Sequence, residues 1–214
     1  MTGILFDLDG TLLNTLEDLT DATNYALQSF GYPQRTLEQV RRAVGNGALN
    51  QIRCCLPEGT SEERVAQVLD VYKPYYTAHC QNKTAPYVGV MDALKVLCSR
   101  YPVGIVSNKP DAAVKSLCQQ YFPGIYALGE RTDCPRKPSA EMVRQGMKAI
   151  GADRCIYIGD SEVDVLTAKN AGADCICVLW GFRDKADLEA AGAEMFCKSA
   201  EELTRKIEEL IHGQ

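Results

Sequence analysis

The sequence carries only two histidines, His79 and His212, and one tryptophan, Trp180. A histidine-based catalytic triad therefore has little to draw on. Strong charge of either sign is also missing. Net charge is −5, acidic and basic residues are mixed along the chain, and there is no basic run or arginine-rich stripe. That pattern argues against a nucleic-acid partner, because such binding rests on neutralising phosphates. No apolar stretch approaches the ~18–20 residues needed to cross a bilayer, so no membrane partner is expected. The charged Asp7-Leu8-Asp9 arrives too early to leave room for a signal peptide, which makes a cytoplasmic location the expectation. Ten cysteines are present, yet none forms a C-x-x-C pair. A structural zinc site is thus disfavoured. Without a secretory signal the thiols should stay reduced and serve as small core hydrophobes. Repeats and low-complexity segments are absent as well.

What the chain does have is enough apolar material for a sizeable core, 46% of 214 residues. That length suits one domain with a large insertion, or two small domains. Five apolar runs read as strands: Ile4-Leu5-Phe6, Val103 to Val106, Gly124 to Leu128, Cys155 to Ile158, and Cys175 to Leu179. Helical patterns lie between them, at Ala112 to Tyr121, Ser139 to Ile150 and Ser161 to Ala171, the last two followed by Gly151 and Gly172 as stop signals. A final amphipathic helix covers Ala200 to Ile211. This alternation predicts an α/β fold, a Rossmann-like, mostly parallel sheet with helices on both faces. The alternation fails once. Between the first strand and Val103 the chain reads only as helices: Thr15 to Phe30, Leu37 to Val44, Ala48 to Leu56, Ser61 to His79 and Val90 to Arg100. The expected division is a core of residues 1–13 and 85–214 with an α-helical module, residues 14–84, inserted after strand one. Pro86-Tyr87-Val88-Gly89 reads as the return hinge.

The first strand runs straight into two carboxylates, Asp7 and Asp9. With a side-chain period of two they point the same way. Parallel sheets bind ligands beyond the carboxyl ends of their strands, so both acids should enter one cleft, with Gly10 easing the turn that follows. Other strand ends bring Ser107-Asn108-Lys109 and Gly159-Asp160-Ser161-Glu162-Val163-Asp164, and a predicted helix start brings Arg136-Lys137-Pro138. Paired acids beside a lysine make sense if a hard divalent cation holds them, magnesium being the usual choice beside phosphate.

These motifs resemble those of the haloacid dehalogenase superfamily of phosphotransferases. Asp7-Leu8-Asp9-Gly10-Thr11 is similar to its first motif, Ser107-Asn108 to the second, Lys137-Pro138 to the third, and Gly159-Asp160 through Asp164 to the fourth. The resemblance spans essentially the whole chain. It implies Asp7 as nucleophile, forming an aspartyl-phosphate, and Asp9 as general acid and then base. Dehalogenases of the superfamily lack an acid at the second position, so Asp9 points to phosphate ester hydrolysis. The resemblance further implies a Mg2+ site made by Asp7, the main-chain carbonyl of Asp9, and Asp160. Asp164 reads either as an orienting acid beside the metal or as a helix cap. Lys137 should neutralise nucleophile and phosphoryl group. Ser107 and the amide of Asn108 should bind a phosphate oxygen, and Thr11 either joins them or caps a turn. Arg136 and Lys109 read as surface residues and Glu162 as part of a solvated face.

By the same resemblance the inserted module is a cap over the site. Its Val44-Gly45-Asn46-Gly47-Ala48 stretch looks like the matching segment of phosphoglycolate phosphatases. Gly45, Asn46 and Gly47 either hold a small carboxylate at a helix N-terminus or form a plain helix–helix turn. Arg53 either reaches that ligand or lies on the surface. Trp180-Gly181-Phe182-Arg183 also recurs in this branch, either shaping the rim of the site or, for Trp180, packing the core. Ser139-Ala140 follows Pro138 where many phosphoglycolate phosphatases carry a second proline, which weakens that exact specificity. The expected partner is a small phosphorylated metabolite of the phosphoglycolate kind. Inorganic pyrophosphate hydrolysis and a β-phosphoglucomutase-like mutase are the alternatives, though such mutases usually carry a branched apolar residue in place of Thr11. Monomer and homodimer both stay open.

Overall fold

The computed structural model describes residues 1–213. Strand β1 (Thr2–Phe6) leads through a turn to the two-residue β2 (Leu13–Asn14). Four helices follow: α1 (Leu16–Gln28), α2 (Leu37–Ala43), α3 (Gly47–Cys55) and α4 (Glu62–His79). The chain returns through β3 (Ala85–Pro86), which pairs antiparallel with β2 and closes a two-stranded tie at the base of the helical segment. Then come α5 (Val90–Cys98), β4 (Val103–Pro110), α6 (Asp111–Tyr121), β5 (Tyr126–Glu130), α7 (Glu141–Ile150) and β6 (Arg154–Gly159). The rest is α8 (Glu162–Ala171), β7 (Asp174–Val178), α9 (Lys185–Ala190), β8 (Met195–Cys197) and α10 (Ala200–His212).

The main sheet has six strands in the order β5-β4-β1-β6-β7-β8, and every pair in it is parallel. β1 lies inside the sheet, with Ile4, Leu5 and Phe6 essentially unexposed. Because neighbouring residues face opposite sides, burial of all three requires helices on both faces. Ile4 and Phe6 belong to the core that α10, α5 and the helical segment complete, whereas Leu5 packs in a second cluster with Met142 and Val143 of α7. Burying one such leucine stabilises the fold by about 1.5–3 kcal/mol. Helix ends follow local chemistry. Thr36 and Gln39 form a reciprocal capping box on α2, and the Ser61 hydroxyl caps α4.

Four elements differ from expectation. β5 starts at Tyr126 and runs to Glu130, because Phe122-Pro123-Gly124-Ile125 is spent on a turn closed by the Ile125 amide on the Phe122 carbonyl. β4 continues past Val106 to Pro110, with an irregular register there. α9 and β8 carry too few residues to show a periodic pattern. Among the described residues no helix is long and apolar enough to cross a membrane. The ten cysteines are unpaired. Seven are buried, Cys54 and Cys98 are exposed, and Cys175 is half-buried.

Candidate active site

Asp7 follows the last residue of β1, and its amide donates to the Ile158 carbonyl of β6 at 2.8 Å, which fixes the strand tip against its neighbour. Its carboxylate is almost entirely buried. Lys137, also buried, places Nζ 2.9 Å from Asp7 Oδ1 and 2.8 Å from Asp164 Oδ1. The first contact is a close ion pair between two buried side chains. The Lys137 ammonium also donates to the Tyr157 hydroxyl at 3.1 Å. Burial works against its charge, but Asp164 and Asp7 outweigh it and hold the lysine above its ordinary range.

Asp164 caps the start of α8 and contacts Lys137. Oδ2 accepts from the Asp160 amide, the Ser161 amide and the Ser161 hydroxyl at the start of α8, while Oδ1 accepts from Lys137 and Tyr157. Both its oxygens are therefore occupied, which leaves it a brace for Lys137 and for the turn. Asp160 accepts from the Thr11 hydroxyl at 3.1 Å and from the Phe182 amide at 2.7 Å. Gly10, at φ +80°, allows this approach, because a Cβ there or at Gly181 would overlap the Asp160 side chain. Thr11 thus spends its hydroxyl on Asp160, and it does not line the cleft.

Asp7, Asp160 and Asp164 each bring a carboxylate oxygen within 4.8 Å of the others. Burial, then the pull of Lys137 against the repulsion of Asp164 and Asp9, leaves Asp7 pushed up to about 7. Burial and the charges of Asp164 and Asp7 raise Asp160 well above the carboxylate range. When ionised, Asp7, Asp9, Asp160 and Asp164 set four negative charges against the two positive charges of Lys109 and Lys137. The excess of two is what a divalent cation cancels. Asp7, whose one charged contact is Lys137, and Asp160, whose two oxygens each accept a single hydrogen bond where those of Asp164 accept two and three, are the donors that fit a hard cation.

Lys109 corrects the expectation of a surface residue. Its side chain is only 1% exposed, and Nζ reaches Asp9 Oδ1 at 2.6 Å and Oδ2 at 2.8 Å. The Thr15 hydroxyl donates to Asp9 Oδ1 at 2.7 Å, so two donors fix this carboxylate. The reason is the extension of β4. Because the strand runs on to Pro110, the lysine is carried inward where a turn would have released it to solvent. Ser107 is buried on the cleft wall. The Asn108 side chain accepts from the Lys137 amide at 2.8 Å and donates to the carbonyls of Lys137 and Gly45, joining the second and third motifs to the helical segment.

That segment lies over the strand ends. Val44, Gly45, Gly47 and Ala48 line a cleft together with Asp7, Asp9, Ser107, Lys109 and Asp160. Asn46 lies between them in sequence but is not on the wall. Arg183 donates to Glu162 of α8 and, across the cleft, to the carbonyls of Arg41 at 3.0 Å and Val44 at 2.6 Å. Arg41 answers by donating to the Phe182 carbonyl. Glu162 is thus ion-paired to Arg183, with its side chain still 42% exposed. Arg136 is half-buried and pairs with Glu130, whereas Arg53 pairs with Glu62 on the surface. Trp180 donates Nε1 to the Thr11 carbonyl and packs near Tyr87. Tyr72 and Tyr76 of α4 also line the cleft and carried no expectation. Their i, i+4 spacing places them on one helix face, but many amphipathic helices share that signal.

Carboxylates, a buried lysine and an incoming helical layer at the carboxyl edge of a parallel sheet define a hydrolase of the α/β class. The haloacid dehalogenase-like hydrolase model matches residues 4–178, and the chain belongs to that family. It is 34% identical over 190 residues to phosphoglycolate phosphatase 1 of Pseudomonas aeruginosa, covering 84% of this chain and 70% of that protein. It is 30% identical to the phosphoglycolate phosphatase of Vibrio parahaemolyticus, covering 95% of each. A solved structure from Lactobacillus delbrueckii subsp. bulgaricus matches with a TM-score of 0.91 and 37% identity, over 96% of this chain and 98% of that one.

Proposed function

We propose that this phosphatase is a magnesium-dependent phosphomonoesterase that works through an aspartyl-phosphate at Asp7, on a small phosphorylated metabolite of the 2-phosphoglycolate kind. The observation that carries the reading is the Asp7 carboxylate, buried at the tip of β1 and held 2.9 Å from the Lys137 ammonium. A carboxylate whose one side-chain contact is an ammonium keeps its remaining lone pairs for attack on phosphorus. Lys137, braced by Asp164, offsets the repulsion between that carboxylate and an anionic ester. The new bond joins an Asp7 oxygen to phosphorus as the bond to the leaving oxygen breaks. Asp9, positioned by Lys109 and Thr15, must take up a proton as the substrate enters, and gives it to that leaving oxygen. It then takes a proton from the water that attacks phosphorus, which frees inorganic phosphate and restores Asp7. A divalent cation between Asp7 and Asp160 would polarise the phosphoryl oxygens.

We read residues 14–84 as a cap that closes this chemistry from water. The tie of β2 to β3 at its base and the contacts of Asn108 and Arg183 to its 41–45 segment support that reading. The phosphoglycolate preference draws on the names of the relatives, and ten unpaired thiols fit a reducing cytoplasm. The test is phosphate release with magnesium from 4-nitrophenyl phosphate and a metabolite panel including 2-phosphoglycolate, pyrophosphate and a hexose phosphate. Release that vanishes in Asp7→Asn, with phosphoglycolate preferred, is the expected result. Full activity of that variant would overturn the mechanism, and preference for pyrophosphate, or isomerisation without phosphate release, would overturn the substrate.

A further inference from the structure

Tyr76, on α4, is fully buried, and its hydroxyl has no hydrogen-bond partner among the described residues. Leaving such a group unpaired costs about 1–3 kcal/mol. The residue lies on the wall of the cleft with Asp9 and Lys109, and no step above uses its hydroxyl. Burial and, next, the negative charge of Asp9 raise its pKa well above the ordinary tyrosine range, so it stays a protonated donor. Its ring packs 4.6 Å from the Lys109 ammonium. That ammonium carries three N–H groups. Asp9 is its only hydrogen-bonding partner among the described residues, and the two contacts leave one N–H to spare. The Tyr76 ring thus faces one charged donor, and its hydroxyl is a second donor on the wall of the cleft that holds the acid proposed to protonate the leaving oxygen. Apolar Leu19 and Ala48 line the same cleft. A compact group with two acceptor oxygens and a negative charge suits this pair, and a bulky or purely apolar one does not.

We propose that the Tyr76 hydroxyl and the Lys109 ammonium form the leaving-group subsite, which takes a carboxylate carried close to the ester oxygen. The assignment rests on the phosphomonoesterase reading and moves the substrate carboxylate from the Gly45-Asn46-Gly47 turn to α4 and β4. Phosphoglycolate and ethyl phosphate serve as probes, because they differ in that carboxylate. Tyr76→Phe should lower the ratio of their kcat/KM values by about tenfold or more, as loss of a hydrogen bond to a charged group does. Glycolate, as competitive inhibitor against 4-nitrophenyl phosphate, should weaken by a similar factor, while inhibition by inorganic phosphate should not follow it. The variant removes an unpaired hydroxyl, so its thermal midpoint should equal or exceed that of the wild type. An unchanged ratio with unchanged glycolate inhibition would overturn the subsite and leave the phosphatase reading intact. An equal loss on both esters, or a fall in thermal midpoint that accounts for the change, would also overturn it. Absence of turnover on every ester by the wild type would instead sink the phosphatase reading.

Discussion

Asp7 shows how much one position depends on the groups around it. Burial drives its pKa up from 3.8 to about 7, and Lys137 only partly opposes this. A carboxylate whose folded pKa is raised binds protons more tightly when folded. Its stabilising contribution is complete below pH 3.8 and is lost as pH rises through about 7. In metal-free protein, Asp7→Asn should therefore match the wild type in thermal midpoint near pH 4 and become increasingly the more stable of the two up to about pH 7. Magnesium should remove the difference, because a bound cation offsets the charge that burial penalises. Thermal melts across that range check this, and a gap independent of pH would count against an ionised, crowded Asp7. Most of the acids around it were legible in sequence, since a two-residue period at the end of a strand fixes where Asp7 and Asp9 point. Lys109 was not. A lysine before Pro110-Asp111 reads as a surface residue, and only the continuation of β4 to Pro110 and the pairing with Asp9 show it turned inward. Tyr76 was missed for a related reason, because which face of a helix meets a cleft is set by tertiary packing.

At the scale of elements, the joint between α2 and the Trp180-Gly181-Phe182-Arg183 loop stands out. Arg183 holds the carbonyl end of α2, where cations are favoured, and Arg41 returns a bond to the Phe182 carbonyl. The same Phe182 donates its amide to Asp160. The position of the helical layer is thus connected through one peptide to a proposed metal ligand. Arg183→Ala removes these bonds and leaves Glu162 without its partner. We expect hydrogen exchange in residues 41–45 to speed up by about ten- to a hundredfold, in line with the ~1–3 kcal/mol of hydrogen bonds to charged groups. Magnesium affinity should fall with it. Unchanged exchange would mean that the layer is held by its apolar contacts alone. The helices and long strands of this arrangement follow from periodicity, whereas β8 and α9 are too short to carry one.

Across the whole molecule, residues far apart in the chain converge because a parallel sheet sends all its strands toward one edge. Asp7 comes from the tip of β1, Lys109 from β4, Lys137 from the approach to α7, and Asp160 and Asp164 from the β6–α8 turn. The order of these motifs could be read directly from the chain, and so could the interruption by helices after the first strand. Their mutual distances could not, because each depends on strand order and stagger. The central claim is that Asp7 is phosphorylated during turnover. Its most direct test is to quench the enzyme in acid during turnover, reduce any acyl phosphate with borohydride, and map the modified aspartate by mass spectrometry. Conversion of Asp7 to homoserine, absent without substrate and absent in Asp7→Asn, is the predicted result. Phosphate release with Asp7 never modified, or with another residue modified in its place, would contradict it.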